Sequence, residues 1–109
     1  MEYKYKIWLE QDGQLIFGDG LYHLLTFIRT YGSIRRASEE MMMSYRQAWG
    51  DIKKAEERLN VKLLIKKTGG ESGGGAHLTI EGEALLSCFD EFKRETDQAV
   101  SELFKKYFE

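Results

Sequence analysis

Residues 33–60 read Ser33-Ile-Arg-Arg-Ala-Ser-Glu-Glu-Met-Met-Met-Ser44-Tyr-Arg-Gln-Ala-Trp-Gly-Asp-Ile-Lys-Lys-Ala-Glu-Glu-Arg-Leu-Asn60. Ser33 and Ser44 each stand where a helix N-cap belongs, with a hydroxyl able to accept a free N–H of the following first turn. After Ser33, the apolar residues Ile34, Ala37 and Met41 recur at helical spacing. After Ser44, a longer stripe follows: Ala48, Trp49, Ile52, Ala55 and Leu59. Asn60 tolerates the left-handed conformation that closes helices. Two helices separated by a turn of three or four residues form a helix-turn-helix pattern.

Upstream, Leu21, Leu24, Leu25 and Ile28 repeat at helical spacing, with Phe27 and Tyr31 beside them, and Gly32 is a left-handed cap. Gly18-Asp19-Gly20 breaks the preceding pattern, and Asp19 is expected to cap this helix. Earlier still, Tyr3, Tyr5, Ile7 and Leu9 alternate with Lys4, Lys6, Trp8 and Glu10, the period of a strand with one buried face. Asp12-Gly13 supplies the positive backbone angles of a tight turn, and Leu15-Ile16-Phe17 returns, so the chain opens on a β-hairpin.

Downstream of Asn60 the period changes. Val61 to Lys67 reads as a short strand rich in branched residues. Gly69 to Gly75 holds five glycines in seven positions, too flexible for regular structure, and Ala76-His-Leu-Thr returns as a second strand. A hairpin directly after the second helix makes the pattern a winged helix. Thr79 then caps a helix reaching the C-terminus. The expected fold class is mainly α with small β (α+β): a winged helix-turn-helix with an N-terminal β-hairpin and a long C-terminal dimerisation helix. The 109 residues are a prior for one domain, divided into hairpin 1–18, helix-turn-helix core 19–60, wing 61–79 and dimerisation helix 80–109.

In the last helix Leu85, Phe89, Phe92, Thr96, Ala99 and Leu103 step by alternating fours and threes, the rhythm of a coiled coil. A helix of about 28 residues is roughly 42 Å long, longer than a domain of this size covers. A pairing helix in a homodimer is the economical reading; the alternative is a lone amphipathic cap.

The formal net charge of −2 averages an uneven chain: residues 1–28 sum to −2, residues 29–67 to +5 and residues 68–109 to −5. A basic middle between acidic flanks suggests a polyanionic partner held by one face. The single cysteine, Cys88, excludes an intramolecular disulfide and fits a reducing compartment. The start lacks the apolar stretch of a signal peptide, and nothing approaches a membrane span, so no membrane partner and a cytoplasmic location are expected. No cofactor or metal is expected: His23 and His77 lack companions at ligand spacing. No nucleophile, base or carboxylate pair stands at catalytic spacing, and the glycine loop lacks the Gly-Lys-Ser/Thr ending of a phosphate-binding loop, so an enzyme is not expected.

The physics of this pattern suits double-stranded DNA. A helix N-terminus offers free N–H groups and a positive dipole end to phosphate, and a helix fits the major groove, where base edges carry a distinguishable code. In the helix after Ser44, helical geometry turns positions 45, 48, 49, 52, 55, 56 and 59 inward. Positions 46, 47, 50, 53, 54 and 57 turn outward. Arg46 and Gln47 are the candidate base readers, since arginine can bridge guanine and glutamine can bridge adenine. Tyr45, grouped with these base readers, borders both faces, touching a phosphate or thymine methyl or only closing the core. Gly50 permits close backbone approach. Candidate phosphate contacts are Ser33, Arg35, Arg36, Ser44, Lys53, Lys54, Lys66 and Lys67, which would position the protein without reading sequence. Wing candidates are Thr68, Gly69, Gly70, Gly73, Gly74, Gly75 and His77, although the glycines can equally serve only a tight turn. Trp49 reads as core rather than as a stacking platform.

Three segments carry a resemblance: Gly32-Ser-Ile-Arg-Arg-Ala-Ser, Met43-Ser-Tyr-Arg-Gln-Ala-Trp, and Gly69-Gly-Glu-Ser-Gly-Gly-Gly-Ala-His-Leu-Thr-Ile-Glu-Gly. In this order, over roughly residues 18–90, they resemble the N-terminal DNA-binding domain of the molybdate-responsive ModE regulators and, more distantly, the LysR-type winged helix. The resemblance implies a dimeric prokaryotic transcription regulator acting at the nucleoid. The pattern usually has alanine where this chain has Ser38, and glycine where it has Met42 and Asn60. Either the turn at Met42 is differently shaped or its backbone is strained. The chain ends at Glu109, so no counterpart of the molybdate-binding domain is expected and oxyanion sensing is not carried over. The alternative to a DNA-binding regulator is a winged-helix protein–protein adaptor acting through its C-terminal helix.

Overall fold

The structure is a computed structural model describing residues 1–67 and 75–109. The elements run β1 (Leu9–Gln11), β2 (Gln14–Phe17), α1 (Asp19–Tyr31), α2 (Ile34–Glu40), α3 (Tyr45–Leu59), β3 (Leu64–Lys67), β4 (Gly75–Leu78) and α4 (Ile80–Phe108). β1 pairs antiparallel with β2, and β3 with β4, in two separate two-stranded sheets. The architecture is an α+β winged helix.

Most helix boundaries follow from local chemistry. The Arg36 N–H donates to Ser33 Oγ at 3.2 Å and the Gln47 N–H to Ser44 Oγ at 3.0 Å, so both serines are N-caps. Gly32 and Asn60 close α1 and α3 in the left-handed conformation, with φ of 67° and 57°. Asp12 and Gly13, both at positive φ, make the turn between β1 and β2.

Two expectations at the N-terminus are corrected. The strand does not start at Tyr3: β1 begins at Leu9 and residues 1–8 have no regular structure. β2 has only four residues before α1 starts, so the earlier residues have no ladder to join. The Tyr3 ring instead meets Phe104 of α4, centroids 4.8 Å apart. Nor does Asp19 cap α1. Gly18 holds that position in extended backbone without a side-chain cap, while Asp19 lies in the first turn and pairs with Lys93 of α4 at 3.1 Å.

The core gathers one face from every helix: Leu24, Leu25 and Ile28 of α1, Ile34 and Ala37 of α2, Ala48, Ile52 and Ala55 of α3, and Leu86 and Phe89 of α4. Phe17 closes one side, edge-on to Phe89 at 4.8 Å. Leu63, Leu64, Ala76 and Leu78 bring in the root of the wing. Ser38, where the family pattern has alanine, is buried without penalty because its hydroxyl donates to the Arg35 carbonyl at 2.7 Å.

The second hairpin is narrower than the sequence suggests, since β3 begins at Leu64 and not at Val61. Its root is pinned three ways. The Glu56 carboxylate of α3 accepts the N–H groups of Leu63 and Leu64 at 2.8 and 3.3 Å. The Thr79 N–H donates to the Leu63 carbonyl at 2.9 Å. Its hydroxyl donates to the Lys62 carbonyl at 2.6 Å and also accepts the Gly82 N–H at 2.9 Å, capping α4. A β-carbon on Gly82 would sit 2.5 Å from the Leu63 carbonyl oxygen. The Leu-Thr-Ile-Glu-Gly segment is therefore a packing device: threonine ties the wing to α4 and glycine lets the helix press against it.

α4 is 29 residues long, roughly 43 Å at the standard rise, within a molecule of 57 × 29 × 23 Å. Its first half belongs to the core. Phe89 of the heptad stripe is spent on this chain's own core and not on the expected seam, while half-buried Leu85 packs against the same cluster. Beyond them Phe92, Ala99 and Leu103 are exposed, and Tyr107 and Phe108 with them.

Candidate nucleic-acid interface

Ser33 and Ser44 start α2 and α3 at successive corners of the chain, and the turn between these helices is tight. The N–H groups of Met42 and Met43 donate to the carbonyls of Glu39 and Ser38, each at 3.0 Å. Met42 takes the left-handed conformation, φ 56°, at the position where the family pattern has glycine. Its side chain is 92% exposed, so no packing offsets the cost of that backbone, about 1–2 kcal/mol for a residue with a β-carbon. The strained alternative raised by the sequence is the one adopted.

On α3 the inward positions are Ala48, Ile52, Ala55 and Glu56, all buried, with Tyr45, Trp49 and Leu59 half-buried. Arg46 and Gln47 are exposed on the first turn, the outward arrangement that the periodicity requires. Gly50 faces open space: a β-carbon there would meet nothing within 4 Å. No contact among the described residues explains a glycine in the middle of a good helix.

The cations around α3 are not equivalent. Arg36 lies over the Tyr31 ring at 4.3 Å and Arg35 over the Tyr45 ring at 5.6 Å. Lys66, on β3, donates to the Tyr45 hydroxyl at 2.6 Å and stands over both the Tyr45 and Trp49 rings, at 5.3 and 5.1 Å. Lys53 sits over the other part of the platform, 4.6 Å from the Trp49 centroid. The four cations thus lie on three aromatic rings, an attraction of about 0.5–1 kcal/mol each at exposed sites. Trp49 is therefore both a core flank and a rest for two lysines.

Lys53 also lies 3.6 Å from Glu56 Oε1, and Lys62 lies 4.0 Å from the same atom. That oxygen is buried with no hydrogen-bond partner among the described residues. Lys54 diverges from its neighbour. With Asp51 and Arg58 it rims an open cleft of about 320 Å³ between α3, β2 and the start of α1. Arg58 crosses that cleft to donate to the Leu15 carbonyl.

Lys67 is exposed where β3 ends, and His77 is exposed on β4. Gly75 pairs with Lys67, and a β-carbon on it would come within 3.0 Å of the Gly32 carbonyl oxygen. Its glycine has a packing reason independent of any ligand. Thr68, Gly69, Gly70, Gly73 and Gly74 lie outside the described residues. His23 is exposed on α1, beside Tyr22. Among the described residues no group of three His, Cys, Asp or Glu side chains could hold a metal ion. Among them, too, no helix is long and apolar enough to cross a membrane.

Sequence reading missed the aromatic seats and Glu56. The Tyr45, Trp49, Lys53 spacing of four does place those three on one helix face. Nothing local signals that Lys66 joins them, because that contact spans 21 residues.

Residues 21–83 match the family described as bacterial regulatory helix-turn-helix protein, lysR family. That span contains all three motifs on which the resemblance rests. The chain is similar to the transcriptional regulator ModE of Haemophilus influenzae, 36% identical over 76 residues that cover 70% of this chain and 30% of the relative. It is likewise similar to the DNA-binding transcriptional dual regulator ModE of Escherichia coli K12, 36% identical over 67 residues covering 62% and 26% of the two chains. It spans under a third of the length of these relatives. Among solved structures, a variant of ZitR from Lactococcus lactis shares the fold with a TM-score of 0.59, at 19% identity over 97% of this chain and 73% of the other.

Proposed function

Since the chain belongs to the bacterial regulatory helix-turn-helix proteins of the lysR family, we propose that it binds double-stranded DNA sequence-specifically as a transcription regulator. The observation that carries this reading is the set of cations along α3: Arg46 is exposed on its first turn, Arg35 and Lys66 lie over the Tyr45 ring, and Lys53 and Lys66 lie over the Trp49 ring. In this reading α3 enters the major groove, with Arg46 and Gln47 reading base edges. Gly50 lets the helix backbone come close. Ser33, Arg35, Arg36, Ser44, Lys53, Lys54, Lys66 and Lys67 hold phosphates and set the register. Thr68, the glycine loop and His77 follow the flanking backbone or minor groove.

The same reading makes the protein a homodimer in a prokaryotic cytoplasm, at the nucleoid. The exposed Phe92, Ala99 and Leu103, with half-buried Thr96 between them, continue the heptad stripe past the core and would face a second copy. Symmetry would then set two α3 helices about 34–36 Å apart on a pseudo-palindromic site. An adaptor acting only through α4 is not favoured, because it leaves the cations around α3 without a role.

Titration against random-sequence duplex DNA at several salt concentrations tests the reading. Affinity that falls steeply and log-linearly with salt is expected, because the protein's cations release the counterions condensed on the DNA phosphates. Weak binding without that slope would refute it.

A further inference from the structure

Lys66 and Tyr45 belong to different elements and meet at one point. β3 alternates its side chains, so Lys66 shares a sheet face with buried Leu64, opposite buried Ala76, while Ile65 and Lys67 take the other face. An inward strand position of this kind ordinarily carries an apolar side chain. Here an exposed lysine places its ammonium over Tyr45 and Trp49 of α3, donating to the Tyr45 hydroxyl at 2.6 Å.

The charge around that ammonium is incomplete. Lys53 and Lys62 have the Glu56 carboxylate within 4.0 Å, and Lys93 has Asp19. Among the described residues no carboxylate comes that close to Lys66; its seat offers a phenol oxygen and two ring faces. A cation held in place but not neutralised suits an anion arriving from outside.

From this geometry we infer that Tyr45 is a positioning residue for a phosphate clamp. Its hydroxyl bolts the wing strand to α3 and aims Lys66 at one backbone phosphate of the duplex beside the reading helix. The inference rests on the proposed DNA binding and assigns Tyr45 to neither of the roles its sequence position leaves open, its own contact with a phosphate or thymine methyl or simple core closure. A lysine on a free strand would sample many positions; one seated on Tyr45 is already ordered when the phosphate arrives.

A double-mutant cycle tests this on the full chain, with Tyr45→Phe, Lys66→Gln and the double variant titrated against random-sequence duplex at several salt concentrations. Tyr45→Phe keeps the ring and is expected to weaken binding about fivefold. Lys66→Gln is expected to weaken it at least as much and to lower the salt slope by about one, whereas Lys66→Arg retains the slope. The double variant is expected to bind no more weakly than Lys66→Gln. Thermal melting of each variant separates these effects from loss of fold. Additive losses, or an unchanged slope in Lys66→Gln, overturn the clamp while leaving DNA binding intact. Wild-type protein without salt-dependent duplex binding overturns both.

Discussion

The Glu56 carboxylate, buried on α3, accepts the Leu63 N–H at 2.8 Å. One oxygen of this side chain thereby joins α3 to the strand that starts the wing, and it takes the Leu64 N–H as well. The other oxygen is left to Lys53 and Lys62 at 3.6 and 4.0 Å. Glu56→Ala should leave two N–H groups without their acceptor and cost about 1–3 kcal/mol of stability. Glu56→Gln keeps an acceptor and should cost less. Urea denaturation of both variants checks the order, and equal losses would refute it.

Met42 offers the opposite change. Its left-handed backbone carries a β-carbon, and the side chain is almost fully exposed. Met42→Gly should therefore stabilise the protein by about 0.5–1 kcal/mol, after the entropic cost of glycine is set against the relieved strain. A higher urea midpoint with an unchanged slope is the expected result.

At Gly50 stability and binding should part. An added methyl group meets no neighbour within 4 Å, so Gly50→Ala should stabilise α3 by about 1 kcal/mol. If α3 lies backbone-close in the groove, the same methyl weakens duplex binding. Thermal melting and a DNA titration on one preparation read both effects; gains in both would refute the close approach.

Arg46 and Lys54 differ in what they are proposed to touch. Arg46→Ala should relax base preference at one operator position, by about 1–3 kcal/mol of discrimination. Lys54→Ala should weaken all sequences alike and reduce the salt slope by about one. Binding-site selection followed by sequencing distinguishes them, and small equal effects would remove Arg46 from the reading role.

Tyr22 links α1 to α4 by donating its hydroxyl to Asp90 at 2.6 Å. That hydrogen bond, reinforced by burial and by the charge of Asp90, raises the phenol pKa above its ordinary value of 10.0. A raised folded pKa means the contribution is complete below the unfolded value and disappears as pH climbs through the folded one. Stability should therefore decline above about pH 10 more in the wild type than in Tyr22→Phe, measured by denaturant midpoints across that range.

Local chemistry makes much of this fold legible in the sequence. Ser33, Ser44 and Thr79 cap helices, and Gly32 and Asn60 end them, because capping needs only residues within one turn. The apolar stripes of α1 and α3 were legible for the same reason, as was the outward placement of Arg46 and Gln47. Asp19 was misread because Gly18 could take the cap position, and its carboxylate was free to reach Lys93, a partner 74 residues away. The Tyr3–Leu9 alternation was misread because a strand also needs a neighbour, and β2 is too short to provide one.

Periodicity and capping, which act over four residues or fewer, specify the order of elements, the outward face of α3 and the basic residues around it. Which half of α4 is spent on the chain's own core, and which cation rests on which ring, depend on contacts between segments distant along the chain. Lys66 shows the division: its charge is plain in the sequence, but its seat between Tyr45 and Trp49 exists only once β3 folds against α3. Such contacts follow from packing, which no local spacing encodes.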